Sequence, residues 1–313
     1  MTSIILGIGS ASGDIGQAIS HILYSNDSIV QAVAFDKSPR HNTRFKQINK
    51  SPGFQSQSFG SWLRLFLLAN EVTHYVPCSE PEMRYLPTYL PLVDMVKVIW
   101  AGQQIFELFD NKSTGSQYLE DNGFYVPKQY GIDILEQEFS TPVVVKPRRS
   151  SGSRSVHVCT SRPQLVAAVS NTNEPIIQQF IPYNNNEFTV GVHRTSAGDT
   201  KTIVLLRNLE EGRTKSALVV KDEFMSSECV RLADLLKLDG SINVQIRKFD
   251  GTNYIFEVNP RFSSTLQGRH LLGFRDFMWS VGLEPQMSQN EIDKSVGISI
   301  SRNSLGKFEI SGR

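Results

Sequence analysis

Residues 242–263 read INVQIRKFDGTNYIFEVNPRFS, and four side chains there, Gln245, Glu257, Asn259 and Arg261, are of the types that meet a metal-bound phosphate. Two alternating apolar runs, 242–249 and 254–258, flank Asp250-Gly251, a two-residue turn signal, so the stretch reads as a β-hairpin. Strand side chains alternate faces. Glu257 and Asn259 are therefore expected on one face, with Phe256 and Val258 on the other. An acid beside an amide oxygen suits a hard cation such as Mg²⁺, and an arginine two residues on suits a phosphate. The combination points to handling of nucleotide phosphates.

Three further stretches carry chemistry-bearing residues. Residues 143–158, VVVKPRRSSGSRSVHV, place Lys146 at the end of an apolar strand, followed by a basic loop containing Ser150, Ser151, Gly152 and Ser153. Such a loop can wrap phosphates with N–H groups and hydroxyls, or be a solvated hairpin tip; the Gly-Lys-Ser/Thr ending of a Walker loop is absent. Residues 176–192, IIQQFIPYNNNEFTVGV, run from an apolar strand through a connector to a strand opened by Glu187. Backbone groups at such a connector can read an adenine edge, and a carboxylate can hold ribose hydroxyls. The N-terminal loop spans Gly7 to Gly16 between a strand and a helix, with Asp36 at the end of the next strand. This approaches a dinucleotide fingerprint without its strict spacing; the alternative is a turn that is glycine-rich for packing.

The elements that must position these residues alternate. Strands are expected at 3–8, 29–36, 72–77 and 97–100, with helices at 14–24, 61–69 and 81–90, which argues for a parallel sheet. A new unit starts near Gly102. It holds a helix at 112–122, strands at 142–146, 156–160 and 175–180, a helix at 162–170, an antiparallel pair at 187–194 and 202–206, and a helix at 226–236 before the hairpin. At 313 residues the chain is long enough for two domains. Its net charge of +1 gives no global field for nucleic acid or membrane. No run reaches the roughly 18–20 apolar residues of a membrane helix, and no export signal is read at the N-terminus. Three scattered cysteines, Cys78, Cys159 and Cys229, show no metal or disulfide spacing, which fits a reduced cytoplasm.

Taken in order, the lysine-bearing strand, small-residue loop, connector with downstream Glu187, and Gln245…Glu257-x-Asn259-x-Arg261 resemble the ATP-grasp superfamily. The likeness is to the ATP-binding halves of carbamoyl phosphate synthase large chains and to related small carboxylate–amine ligases. Asp110-Asn111-Lys112 through Pro127, Val76-Pro77 with Glu80 and Glu82, and Arg207…Gly212…Lys215 add to it. The resemblance implies an α/β fold: a Rossmann-like pre-ATP domain at 1–104, then an ATP-grasp domain at 105–313. The latter divides into a lid subdomain (105–182) and a metal and phosphate subdomain (183–313), with ATP between them. It further implies that Lys112 and Lys146 contact ATP, with Ser151 and Gly152 closing over it. Gln179, Phe180 and Ile181 form the adenine hinge, and Glu187 holds the ribose. Gln245 and Glu257 bind one Mg²⁺, Glu257 and Asn259 a second, with Mn²⁺ as the alternative ion. Arg261 holds the γ-phosphate and the reacting acyl phosphate, and Arg207 and Lys215 touch phosphate or substrate.

The chain departs from the family in three places. Gln179 stands where an acid is frequent, Tyr183-Asn184-Asn185-Asn186 replaces a compact turn before Glu187, and Gln245 is neutral where many relatives carry an acid. Arg148, Arg149 and Arg154 make the lid unusually basic. In such ligases the N-terminal domain frames the acceptor site and binds no NAD, and His270 is a candidate lining residue there. The implied activity is amide formation from small-molecule carboxylate and amine substrates, through an acyl phosphate and without a protein nucleophile. Competing readings are phosphorylation of a carboxylate or carbamate, an NAD(P)-dependent oxidoreductase using the N-terminal loop, and a non-catalytic nucleotide binder. A homodimer is compatible with the sequence.

Overall fold

A computed structural model describes residues 4–25, 31–40, 43–137, 141–149, 155–210 and 212–312. The first hundred residues form β1 (Ile5–Ile8), α1 (Asp14–Ser25), β2 (Gln31–Asp36), β3 (Ile48–Lys50), α2 (Phe59–Ala69), β4 (His74–Val76), α3 (Glu80–Tyr89) and β5 (Lys97–Val98). The strands pair in parallel in the order β3-β2-β1-β4-β5. The chain reverses direction across the sheet beside β1, where open α/β sheets leave a crevice at their carboxyl ends. Helices cover both faces. Phe59, Leu63 and Leu67, four apart on α2, are buried in one core with Phe35 and Tyr75. Ile15, Ile19 and Ile22 of α1 are buried in the other. That second core also takes in Phe262, Leu266 and Phe277 from far along the chain, so it joins the N-terminal sheet to the C-terminal part.

Next come α4 (Gln103–Asp110), α5 (Lys112–Asp121), β6 (Gln129–Tyr130), β7 (Val143–Pro147), β8 (His157–Cys159), α6 (Arg162–Ser170) and β9 (Pro175–Gln179). The four strands make a small antiparallel sheet ordered β6-β9-β7-β8. The lid residues Ser151 and Gly152 lie outside the described residues, as do Ser150, Ser153 and Arg154.

The remainder holds β10 (Glu187–Arg194), β11 (Thr200–Glu210), β12 (Arg213–Val219), α7 (Glu223–Leu235), β13 (Gly240–Phe249), β14 (Thr252–Asn259), α8 (Leu266–Leu271), α9 (Asp276–Val281), α10 (Gln289–Asp293), β15 (Ser299–Arg302) and β16 (Phe308–Gly312). Seven strands pair antiparallel in the order β14-β13-β10-β11-β12-β15-β16. Val190, Val192, Val244 and Ile246 pack with Met225, Cys229 and Leu232 of α7 on one face. The opposite end of the sheet, with Ile203, Leu205, Ala217 and Ile300, packs on Phe274, Trp279 and Phe308. Among the described residues, no helix is long and apolar enough to cross a membrane.

The β13–β14 hairpin closes through Asp250 and Gly251, both at positive φ (48° and 73°), as a two-residue turn of this type requires. Its far half departs from strict alternation. Gln245 faces Glu257 and Ile246 faces Ile255, so Phe256 is the extra residue of a bulge. The core residues of β14 are thus Ile255 and Val258, and Phe256 is half-buried beside Glu257 rather than sharing a core face with Val258.

Candidate active site

The hairpin brings its polar residues together by register. Gln245 and Glu257 are direct cross-strand partners, and Asn243 pairs with Asn259 next along the ladder. Each of the three proposed metal ligands presents an oxygen that now faces a cation. Arg207 Nη2 donates to Gln245 Oε1 at 2.9 Å, Lys112 Nζ lies 3.2 Å from Glu257 Oε1, and Arg261 Nη2 donates to Asn259 Oδ1 at 3.0 Å. The donor set is one carboxylate and two amides. Among the described residues no cluster of three His, Cys, Asp or Glu forms a metal site, so a metal here would rely on amide oxygens, which hard cations accept.

Lys146 arrives from the other sheet. It is buried at the end of β7, and its Nζ donates to the Phe256 carbonyl at 3.3 Å. Burial pushes this amine down to about 8; Glu257 opposes that shift, and Lys112 and Arg247 add to it. Lys112 opens α5, held there by the Asn111 cap, which accepts from the Ser113 N–H, and by its own N–H on the Arg148 carbonyl. Burial alone would raise the Glu257 carboxyl, but Lys112, Lys146 and Arg261 outweigh it and hold it below the usual carboxylate value. The result is a cationic ring around one anion, a field suited to polyphosphate.

Glu187 opens β10 and is buried between two arginines. Arg207 Nη2 donates to Oε1, and Arg247 Nε donates to Oε2 at 2.8 Å. Arg247 faces Glu187 directly across the β10–β13 ladder. Its guanidinium lies over the rings of Tyr183 (4.6 Å) and Phe256 (4.9 Å), and its Nη1 donates to the Ile181 carbonyl at 3.2 Å. Arg247 therefore sits among the hinge and ribose candidates, and sequence reading missed it. The remaining hinge groups are engaged in the sheet: Gln179 N–H donates to the Lys128 carbonyl at 2.8 Å and Phe180 N–H to the Pro142 carbonyl at 3.2 Å.

A cleft of about 690 Å³ extends from the hairpin to the N-terminal sheet. Arg207, Gln245, Glu257, Asn259 and Arg261 line one wall; Ser12, Asp14, Asp36, Arg40 and Glu80 line the other. The glycine loop at its edge is shaped by packing. A Cβ on Gly9 would fall 1.7 Å from Glu82 Oε1. Glu82 is buried and accepts from Tyr75 Oη, from Ser10 Oγ at 2.7 Å and from the Cys78 N–H at 3.1 Å. Burial raises its carboxyl to about 7. Asp36 accepts from the loop's own Ser12 N–H at 3.0 Å. These contacts account for the loop's glycine and acid without a dinucleotide.

Two candidates stand apart. Lys215 is half exposed and pairs with Glu210 at 2.5 Å at the rim of the β11–β12 strands, outside the cleft lining, where Arg213 and Thr214 are found instead. His270 is buried on α8, pushed down to about 4 by its burial, and is absent from the cleft wall. Glu80 enters the site through Arg261: Nε and Nη2 both donate to its Oε1, at 3.0 and 2.5 Å.

This fold, with cations and oxygen ligands gathered between a small and a large antiparallel sheet, is that of the ATP-grasp proteins. The ATP-grasp domain model matches residues 109–265, half of the chain, and the chain belongs to that family. It is similar to the carbamoyl phosphate synthase large chain of Thermoplasma acidophilum, at 23% identity over 190 residues, 54% of this chain and 18% of that protein. The chain therefore spans about a fifth of the length of that relative. Among solved structures it resembles the ADP complex of purK, an N5-carboxyaminoimidazole ribonucleotide synthetase (TM-score 0.75, 19% identity, 96% of this chain and 83% of that one). It also resembles the biotin carboxylase domain of Hydrogenobacter thermophilus 2-oxoglutarate carboxylase in complex with MgADP (TM-score 0.74, 12% identity, 96% and 75%).

Proposed function

We propose that the chain is an ATP-dependent ligase that activates a carboxylate as an acyl phosphate and joins it to an amine, releasing ADP and phosphate. The observation that carries this reading is the meeting of Lys146, Lys112 and Arg261, from three separate segments, around the Glu257 carboxylate beside an open cleft. Two of the similar structures hold ADP or MgADP, which supports a nucleotide at this centre.

In this reading Lys112 and Lys146 hold the phosphates, with Ser151 and Gly152 closing over them. Gln179, Phe180 and Ile181 frame adenine, and Glu187 takes the ribose once Arg247 gives way. Gln245, Glu257 and Asn259 would hold Mg²⁺, as two ions sharing Glu257. Bound there, the metal neutralises charge on the phosphates. The unit of residues 1–104 supplies the acceptor wall and the unit 105–313 the nucleotide site.

The substrate carboxylate attacks the γ-phosphorus, and the bond to the β,γ-bridging oxygen breaks, leaving ADP with the electron pair. A neutral amine then attacks the acyl carbon, the bond from carbon to the phosphate oxygen breaks, and the nitrogen sheds its proton to water. No side chain has to act as nucleophile; Lys146 and Arg261 position the reactants and offset charge. Release of ADP from Mg·ATP on adding carboxylic and amino acids tests the reading. Glu257→Ala, checked for intact secondary structure, should release ADP at least ~100-fold more slowly, in line with losing an electrostatic anchor; full turnover by that variant would refute the assignment.

A further inference from the structure

Arg261, the arginine placed at the acyl phosphate, does not face an open anion seat. Glu80, from the first turn of α3, occupies its guanidinium through two donors to one oxygen. A second ion pair, Asp14 with Arg213 at 4.0 Å, crosses the same cleft. Both pairs have the acid on the N-terminal wall and the base on the opposite wall. These two pairs span the cleft from wall to wall, and the Glu80 carboxylate stands where a substrate carboxylate would meet Arg261.

An incoming carboxylate must displace Glu80 from Arg261. The released Glu80 remains in a half-buried cleft whose same wall carries Asp14, Asp36 and one cation, Arg40, while the nearby Arg84 of its own helix is already held by Asp110. A carboxylate left there without a direct ion pair is costly, because its desolvation is no longer offset at contact distance. A substrate that brings its own cation beside its carboxylate removes that cost. We infer that the activated substrate is an amino acid, its carboxylate on Arg261 and its ammonium on Glu80. This rests on the ligase reading given above and narrows it. The pairing has a chemical consequence: an amine held as ammonium has no lone pair, so it cannot attack the acyl phosphate formed beside it. The attacking amine must come from a second molecule, whose nitrogen forms the C–N bond as phosphate leaves.

The experiment uses the full chain with Mg·ATP and hydroxylamine as a general nucleophile, which traps acyl phosphates as hydroxamates. One arm receives an equimolar pool of the common L-amino acids. The other receives the matching des-amino acids, with hydrogen in place of the ammonium. Hydroxamate from the amino-acid pool should exceed that from the des-amino pool at least tenfold. Glu80→Gln should erase most of this preference through KM, with Mg·ADP affinity measured alongside to show an intact fold. Glu80→Asp should restore part of it. Equal hydroxamate from both pools with the native chain overturns the inference and leaves the ligase reading standing. Hydroxamate from neither pool also overturns the inference, and the ligase reading then stands or falls on ADP release with other carboxylic acids. A Glu80→Gln chain that binds Mg·ADP and keeps the full preference also overturns it.

Discussion

Arg247 and Glu187 face each other across the β10–β13 ladder, joined at 2.8 Å, with the guanidinium lying over Tyr183 and Phe256 and bound to the Ile181 carbonyl. A flat cation thus fills the space between the hinge candidates and Glu187. If nucleotide binds there, it must displace these contacts. Arg247→Met removes the competitor and leaves Glu187 paired with Arg207. A charged hydrogen bond of ~1–2 kcal/mol net no longer has to be broken, so Mg·ADP should bind at least about fivefold more tightly. Calorimetric titration decides; weaker binding would make Arg247 a direct contact of the nucleotide.

Lys146 gives a pH dependence with two opposite signs. Its amine titrates at about 8 in the folded chain, against an ordinary 10.5. Above pH 8 the folded site loses the charge, so affinity for Mg·ADP should fall between pH 7.5 and 9.5. Over the window from about 8 to 10.5 the unfolded chain binds more protons than the folded one, so this lysine's contribution to stability rises with pH. Lys146→Met should flatten both trends, read by nucleotide titration and by denaturant midpoints at each pH.

Glu82 carries the reverse sign. Its folded value of about 7 exceeds the ordinary 4.5. The folded state therefore binds more protons between these values, and stability falls as pH rises through that window. In Glu82→Gln the slope of Tm between pH 5 and 8 should shrink. An unchanged slope would show that another group controls it.

Arg269 and Asp276 form an ion pair with no exposed side-chain surface, 2.7 Å apart. Arg269 also donates to Ser263 at 3.2 Å and reaches Asn243 at 3.4 Å, so it ties α8 and α9 to β13 beneath the cleft. Removing one partner strands a buried charge. Arg269→Ala should lower unfolding free energy by ~3–5 kcal/mol, while a paired Arg269→Met and Asp276→Leu exchange should cost much less. Equilibrium urea unfolding of the native chain and the two variants gives the comparison.

What the sequence made legible was local. Asp250-Gly251 marked the hairpin, alternation marked β10, and the helix expected at 162–170 coincides with α6. The eight-residue α4 escaped notice because it is so short, although its Ile105, Phe106 and Phe109 are buried. The bulge at Phe256 escaped because pairing register is not written in one strand alone. Arg247 became meaningful only when β10 was laid beside β13, and the pairing of Glu80 with Arg261 only when α3 met a residue 181 positions away. Lys215 was read from its neighbours in the chain, yet its side chain serves Glu210 at the sheet rim. For Arg247 and Glu80 the missing term was a contact between distant segments.

The core shared by Ile15, Ile19 and Ile22 with Phe262, Leu266 and Phe277 limits how this molecule can be divided or recombined. A chain trimmed to the segment matched by the family model would lose α1 and expose Phe262 to water, inviting aggregation. Exchanging the first hundred residues for those of a relative would mismatch the same seam. Specificity is therefore best altered by resurfacing individual positions on the cleft wall, with the weld between the two sheets left intact.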